Sequence, residues 1–396
     1  FMNIQLTSMI ILFYFIMLFP VFPAIEIIVE DKKESLFYNF SPSDYEIYGD
    51  QTENTLKFSA SSNQLSRSFS AVQSDIIINN GTFDQSMILL DGIILSDPQT
   101  GHYLADIPVP AFFLEKTGIL TGGSSFAGAG GFSGTIFMKT RDTAKKAPQL
   151  KLHYGVYNTY GSALYFENSF NGAEVFFSAS KSSSDGYHEA TGYDKNNIFG
   201  KAVYGKYSLT FAHEEKDYGA YDYYTPGSGF PSHESIVTRY ANFTGKYTDW
   251  VTVSLYARDH SDYFVLDDTR PDYYNNRHKT LFYGVMHEFR AKPAEALDLK
   301  FFMNFHRDEI QSSSLGNHYR MKKYYQLSVL AGAGRDTTAS LNFSIENFEP
   351  GNENEFNYSG KLVQRFFFGA IEASAGINTS LRNPTFTDLY YDSPYN

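Results

Sequence analysis

Asp97, Gln99, Thr100, His102 and Tyr103 fall close together in the stretch SDPQTGHY. A carboxylate, an imidazole, two neutral polar groups and a phenol at this spacing raise three chemistries. They are acid–base catalysis, metal ligation and plain ligand contact. Catalysis needs a nucleophile held beside its base, and no G-x-S-x-G element occurs in the chain. Metal ligation needs further ligands, and His102 has no second histidine at a useful spacing. His213-Glu214-Glu215 does not continue as H-E-x-x-H, so a zinc protease is not indicated. The chain has no cysteine, which removes disulfides and Cys-based metal or redox sites. Ligand contact remains for Asp97–Tyr103, with a loop that only packs on its surroundings as the alternative.

The glycines of GGSSFAGAGGFSG, Gly122 to Gly134, miss the G-x-G-x-x-G spacing, and no Lys-Ser/Thr follows them. They suit tight turns and positive φ rather than nucleotide binding. Acidic and aromatic residues cluster at Asp185-Gly186-Tyr187, Tyr193-Asp194, Asp217 to Tyr224, Asp267-Asp268 and Asp272-Tyr273-Tyr274. Carboxylate oxygens are what calcium takes, so Asp185 and Asp194 are candidate calcium ligands. Solvated acidic loops are the alternative. The tyrosines either stack on a large ring-shaped ligand or belong to an aromatic girdle at a membrane surface.

The elements that must hold these residues read as strands. In LDLKFFMNFHRD, Leu297, Leu299, Phe301, Met303 and Phe305 face one way. Asp298, Lys300, Asn304 and His306 share the other face with Phe302. DTTASLNFSIE, VTVSLYAR and FFGAIEASAGINTS alternate in the same manner, the period of a strand with one apolar and one polar face. Connections alternate between short and long. Short ones fall at Ser169–Gly172, Tyr204–Lys206, Tyr247–Asp249, Ala291–Ala296, Ala331–Arg335 and around Phe366. Long ones cover 182–196, 215–235, 262–277, 309–317 and 347–354. Several strands reach roughly 12 residues or more, beyond the usual 5–6 of soluble sheets. Long strands with tight turns at one end and long loops at the other describe a membrane β-barrel. Its sheet must close, because an open edge in lipid leaves backbone groups unpaired.

Composition agrees. Aromatic residues make up 17% of the 396 residues, including 31 Tyr and 36 Phe, as suits a membrane interface. Mean hydropathy is −0.32, which excludes a bundle of apolar helices. A net charge of −12, with RMKK and Lys145-Lys146 as the densest basic stretches, argues against a nucleic-acid partner. The apolar run MIILFYFIMLFPVF, Met9 to Phe22, is short for a spanning helix of about 20 residues. It reads as the core of a signal peptide over residues 1–24, with an N-terminal anchor as the alternative. A segment over 25–35, a mixed domain over 36–144 and strands over 145–396 follow.

These features resemble the TonB-dependent outer-membrane receptors, most closely the cobalamin receptor branch. The resemblance rests on SDIIINNGTFDQSMILLDGIILSDPQTGHYLADIPVP and on FLEKTGILTGGSSFAGAGGFSGTIFMKT in the N-terminal part. DDTRPDYYNNRHKT and LRNPTFTDLYYDSPY carry it in the strand region. It implies an antiparallel transmembrane barrel around an N-terminal α+β plug over 36–144. The family barrel has about 22 strands, of which roughly thirteen are read between 148 and 380, so the chain is expected to be C-terminally incomplete. The family has Arg-Gly where Asn79-Asn80 stands, and Arg-Gly-Pro where Thr121-Gly122-Gly123 stands. Those arginines help seat the plug.

The resemblance also implies roles. Ile25 to Glu30 lies where a TonB box is expected, with Glu26, Ile27, Ile28 and Val29 adding as a strand to TonB. Asp97, Gln99, Thr100, His102 and Tyr103 form one apical plug loop facing the ligand, and Thr82, Phe83 and Gln85 form a second. The expected protein is a non-enzymatic active transporter in the outer membrane of a Gram-negative bacterium, embedded in its lipid. Its expected ligand is cobalamin or another corrinoid, with a ferric siderophore as the alternative, and calcium is the ion its loops would hold. A passive porin, an adhesin barrel and a soluble β-rich binding protein are the other readings.

Overall fold

The computed structural model describes residues 26–30, 52, 56, 62–66, 72–121, 131–145, 147–331, 337–348, 354–368, 371–380 and 382–392. The signal-peptide reading of residues 1–24 lies outside the described residues, as do Gly122 and Gly123.

The N-terminal part contributes seven short strands: β1 (Glu26–Glu30), β2 (Ser62–Ser66), β3 (Ser74–Ile78), β4 (Ser86–Leu90), β5 (Ile93–Ile94), β6 (Leu114–Thr121) and β7 (Gly134–Thr140). β2 and β3 form a two-stranded ribbon, and the other plug strands form a sheet in the order β5-β4-β7-β6. β4 and β7 run parallel, whereas the remaining pairs are antiparallel. β4 reads SMILL and is buried along its whole length, as expected of the central part of a plug. Asp91 and Gly92 turn the chain from β4 into β5, both with positive φ, 51° and 85°. That is the backbone a tight hairpin turn requires, and Asp-Gly supplies it at low cost. The Asp91 carboxylate then accepts from the Thr140 backbone N–H at 2.8 Å and from its hydroxyl at 2.6 Å, fixing the end of β7.

Thirteen strands follow: β8 (Gln149–Tyr154), β9 (Tyr160–Phe170), β10 (Ala173–Ser184), β11 (Tyr193–Tyr204), β12 (Tyr207–Gly219), β13 (His233–Thr248), β14 (Val251–Val265), β15 (Asn275–Ala294), β16 (Leu297–Ser312), β17 (Gly316–Ala331), β18 (Thr337–Phe348), β19 (Asn354–Phe368) and β20 (Ile371–Thr379). A short helix, α1 (Phe386–Tyr390), comes after β20. Each of the thirteen pairs antiparallel with the next, and β1 adds to β20, giving one sheet of fourteen. Outward positions are apolar: Leu164, Phe166, Phe177, Ile198, Leu209, Phe211, Leu255 and Leu327 are all exposed. The alternate positions turn inward onto the plug, so Tyr165, Phe176, Phe199 and Tyr240 share one core with Ile88, Leu90, Phe113 and Ile136. Among the described residues no helix is long and apolar enough to cross a membrane. The lipid-compatible surface is the outer face of the strands, as in an outer-membrane barrel.

Tight turns close one end of the wall. Asn171 and Gly172 both have positive φ, 49° and 79°, which matches the twist of the flanking strands. Loops over 185–192, 220–232 and 266–274 sit at the other end. One expectation needs correction. The polar run read as a long loop over 309–317 is mostly strand, because β16 continues to Ser312 and β17 starts at Gly316. Polarity signals a loop only while the strand lies in lipid. Once it rises beyond the apolar belt, the ladder continues with water on its outer face.

Candidate ligand vestibule and plug seat

The apex of the plug is built from two turns. Phe83–Gln85 forms one, and Gln85 closes it by accepting the Thr82 backbone N–H at 3.2 Å. Gly101–Ala105 forms the other, and the Thr100 hydroxyl accepts the His102 N–H there at 3.4 Å. The turns meet where the Gly101 N–H donates to Asp84 Oδ1 at 2.7 Å. A Cβ on Gly101 would lie 2.6 Å from that oxygen and 2.8 Å from the Asp84 backbone, so only glycine allows the approach. Burial pushes the Asp84 carboxyl up, and the Gly101 N–H only partly offsets this. His102 Nδ1 and Asp75 Oδ1 are 2.7 Å apart, and the imidazole stacks on Phe83 at 3.9 Å. Thr82 is exposed, and Phe83, Gln85 and His102 are half-buried, so this part of the expected apex does face outward.

The rest of the expected apex does not. Asp97, Gln99, Thr100 and Tyr103 are buried. Asp97 pairs with Arg258 of β14 and accepts from Thr280 of β15 at 3.2 Å. Its other oxygen accepts the Gln99 N–H at 2.8 Å. Tyr103 donates to Glu234 Oε1 of β13 at 2.9 Å, and its ring lies 4.4 Å from that of His260. The alternative reading of a loop packed on the wall therefore holds for these four residues. The lumen face of the wall is polar, and a plug that fills the lumen must meet it with polar groups of its own.

The same logic runs down the seam. Lys216 of β12 pairs with Asp106 of the plug at 2.7 Å and with Glu214 at 3.2 Å. Lys201 of β11 reaches Asp142 at 2.7 Å and the Thr140 hydroxyl at 2.6 Å. Arg141 pairs with Glu167 of β9 at 3.1 Å and donates to the Phe112 carbonyl at 2.9 Å. Plug acids on wall bases thus make three contacts, and a plug base on a wall acid makes one. Sequence reasoning missed the wall partners. Their signal was a lone base at an inward position, as in NIFGKAVY, HEEKDYG and YARDH. Asn79 and Asn80, where the family carries its first plug arginine, form the turn after β3 with φ of 49° and 57°. Asparagine tolerates that region better than most residues. The described seat lies elsewhere.

Asp185 is exposed, and Asp194 pairs across the strands with Lys181 at 3.1 Å. Among the described residues no three His, Asp or Glu side chains converge as they would to hold a metal ion. Other loop carboxylates are used by their own loops. Asp222 accepts the N–H groups of Gly227 at 3.0 Å and Gly229 at 2.8 Å, and Asp267 accepts from Thr269 and Arg270. Those hydrogen bonds hold both carboxyls below the ordinary range. Glu26, Ile27, Ile28 and Val29 lie in β1, antiparallel to β20 with Glu26 opposite Gly376 and Glu30 opposite Glu372. This segment sits at the edge of the sheet.

The segment after β20 returns to the plug. The N–H groups of Phe386 and Thr387 donate to the carbonyls of Pro98 at 2.8 Å and Gln99 at 3.0 Å. Phe386 is fully buried with Ile310 and Leu315, beneath the Arg320 guanidinium at 4.7 Å. Beside the plug, a cavity of about 390 Å³ opens between Ser66 and Gln73 of the plug and the loops after β10 and β12.

Neither a family model nor a curated protein sequence matches the chain. Solved structures do. The FrpB iron transporter from Neisseria meningitidis aligns with a TM-score of 0.67 at 14% identity, over 90% of this chain and 66% of that one. The hemophore receptor HasR of Serratia marcescens, solved with its hemophore HasA and heme, gives 0.67 at 12% identity, over 89% and 64%. The siderophore receptor PirA from Acinetobacter baumannii gives 0.60 at 10% identity, over 88% and 61%. The chain thus spans less than two thirds of the length of these proteins. The likeness is one of fold: an antiparallel barrel wall, expected from the alternation and the loop lengths, with the N-terminal plug that the resemblance implied.

Proposed function

We propose that the chain is the plug and part of the barrel of a TonB-dependent outer-membrane transporter that captures a scarce, large ligand from outside a Gram-negative cell. The observation that carries this reading is the plug itself. Its apex, Phe83 stacked on His102, lies beside Tyr224 of a long loop, while buried ion pairs tie the plug to the wall. A passive porin needs an open lumen, and a lumen-filling domain is of use only if it moves. Import of this kind requires no covalent chemistry, so the reading is receptor and transporter rather than enzyme.

The ligand we favour is a ferric chelate of the siderophore kind. Support comes from the neighbours in fold, which are named for iron, heme and siderophores. The corrinoid that the sequence resemblance put first has no such support. TonB is the proposed energy-coupling partner. Five residues of β1, EIIVE, already lie as an added edge strand, the mode by which such a segment would join a partner's sheet. Deleting residues 26–30 tests the reading in cells. Uptake of the ferric ligand should stop while surface binding persists. Unchanged uptake would show a passive route and remove the proposal.

A further inference from the structure

On the outer face of the wall, Ala241 of β13 and Ala257 of β14 stand opposite each other in the ladder. Larger side chains surround these two. A groove of about 670 Å³ results, walled by Leu209, Phe243, Leu255, Val285, Phe305 and Met321. Tyr283 and Arg307, opposite each other on β15 and β16, also line it. From the groove toward the loop end, the outward positions change from apolar to charged. Arg239 lies two residues from Ala241, Asp259 two from Ala257, Lys279 four from Tyr283 and Glu309 two from Arg307. A charge on the lipid face is costly at mid-depth and cheap near the interface. The change therefore marks the height at which hydrocarbon gives way to headgroups.

At this height the patch is cationic. The outward positions of β13 to β17 at and above the groove carry Arg239, Arg277, Lys279, Arg307 and Lys323 against Asp259 and Glu309. Toward β12 the sign reverses, with Glu215 and Asp217. Part of the pairing is loose. Asp259 lies 3.7 Å from both Arg239 and Lys279, beyond hydrogen-bond reach, and both cations are half-exposed. Exposed pairs of this kind contribute little, so a stronger acceptor displaces them at small cost. Arg307 is held more firmly, with Glu309 at 2.6 Å and the Tyr319 ring at 4.2 Å from its guanidinium carbon.

We propose that this part of the wall docks one phosphate-bearing lipid of the outer leaflet. An acyl chain lies over Ala241 and Ala257, and the headgroup phosphate meets Arg239, Lys279 and Arg307. The proposal rests on the outer-membrane placement in the reading above and adds a partner that neither the plug nor the mouth contacts. Basic side chains beside a lipid-facing surface attract anionic headgroups, and phosphate is the acceptor that arginine pairs with most strongly. The groove adds van der Waals contact on both flanks of the chain, which a flat wall does not offer.

Native mass spectrometry of the full-length protein, released from a neutral detergent, tests this. The probes are bisphosphorylated lipid A and the same lipid after enzymatic removal of its phosphates. The native protein should retain one phosphorylated lipid at least about tenfold more tightly than the dephosphorylated one. Arg239→Gln, Lys279→Gln and Arg307→Gln together should remove that preference. Ala257→Trp fills the groove, keeps every charge, and should weaken retention of the phosphorylated lipid about tenfold. Arg290→Gln, at the opposite end of β15, should change nothing. In the native protein the preference should also shrink as ammonium acetate is raised, a readout that needs no variant. Equal retention of the two lipids by the native protein overturns the inference. So does a preference that survives the three glutamines or falls as far with Arg290→Gln, as does affinity unmoved by Ala257→Trp. Uptake that still needs residues 26–30 would leave the transporter reading standing while this one falls.

Discussion

Asp97 of the plug and Arg258 of β14 form an ion pair closed to solvent, the two side chains being 0% and 2% exposed. The carboxylate also holds the Gln99 N–H and the Thr280 hydroxyl, so one plug residue ties its own loop to two wall strands. Removing one partner of a buried pair strands the other charge, which typically costs about 3–5 kcal/mol. Asp97→Ala should therefore lower the unfolding free energy of the plug by that order, read by denaturant titration with a plug-specific protease cut as the signal. Replacing both, Asp97→Leu with Arg258→Met, should recover a large part of the loss.

Glu234 stands at the centre of a phenol cluster, receiving the hydroxyls of Tyr103, Tyr218 and Tyr224. Glu234→Gln keeps the shape but turns two N–H donors toward groups that are themselves donating. At least one buried hydroxyl then loses its acceptor, at about 1–3 kcal/mol. Thermal unfolding should shift down, and hydrogen exchange at Tyr103 should rise before that of the β4 core. Glu234→Leu should cost more, since Tyr103 and Tyr224 lose their acceptor and Tyr218 keeps only Gln73.

The ion cluster where the plug joins the wall should depend on pH. Burial pushes the Asp142 carboxyl up, but hydrogen bonds and charge from Lys139 and Lys201 outweigh it, so the folded value lies below the ordinary one. A lowered carboxyl stabilises the fold fully above the unfolded value of about 3.9, and the contribution vanishes as pH falls through the folded value. The stability difference between the native protein and Asp142→Asn should be constant near neutrality and shrink below about pH 4. Asp84 has the opposite sign. Its raised carboxyl favours the fold more as acid protonates it, so Asp84→Asn should help most at high pH. Denaturant midpoints measured along a pH series check both.

Phe386 anchors α1 against Ile310 and Leu315. Phe386→Ala should cost about 3–5 kcal/mol of local stability. It should release the amides at 386 and 387 to fast hydrogen exchange while the amides of β14 and β15 stay protected. Loss of protection throughout the wall would contradict a local anchoring role.

Much of the wall could be read in the sequence because lipid on one side and a filled lumen on the other impose a strict period of two. Strand existence followed from that period, as in SLNFSIE. Strand ends did not, because the polar run 309–317 stays in the ladder except at 313–315, where the Ser312 hydroxyl accepts the N–H groups of Ser314 and Leu315. The plug apex was only half legible. Asp97 and His102 are both polar loop residues, and nothing in their local sequence says that one faces Arg258 and the other leans on Phe83. That choice is made by wall residues roughly 160 positions away, at a distance no local pattern carries. Asp185 and Asp194 had the right chemistry for a cation, but Lys181, four residues before Asp185, reaches Asp194 diagonally across the paired strands.

The contact between α1 and the plug runs from amide to carbonyl, at Phe386 to Pro98 and Thr387 to Gln99. Its donors and acceptors are main-chain atoms, while the buried Phe386 ring holds the segment in place. Substitutions elsewhere on the surrounding surface leave the joint's own hydrogen bonds in place. Two kinds of change would cut it: loss of an amide, as in Phe386→Pro, or loss of the buried ring that anchors α1, as in Phe386→Ala. The joint is thus fastened twice, once by the backbone and once by a single buried ring.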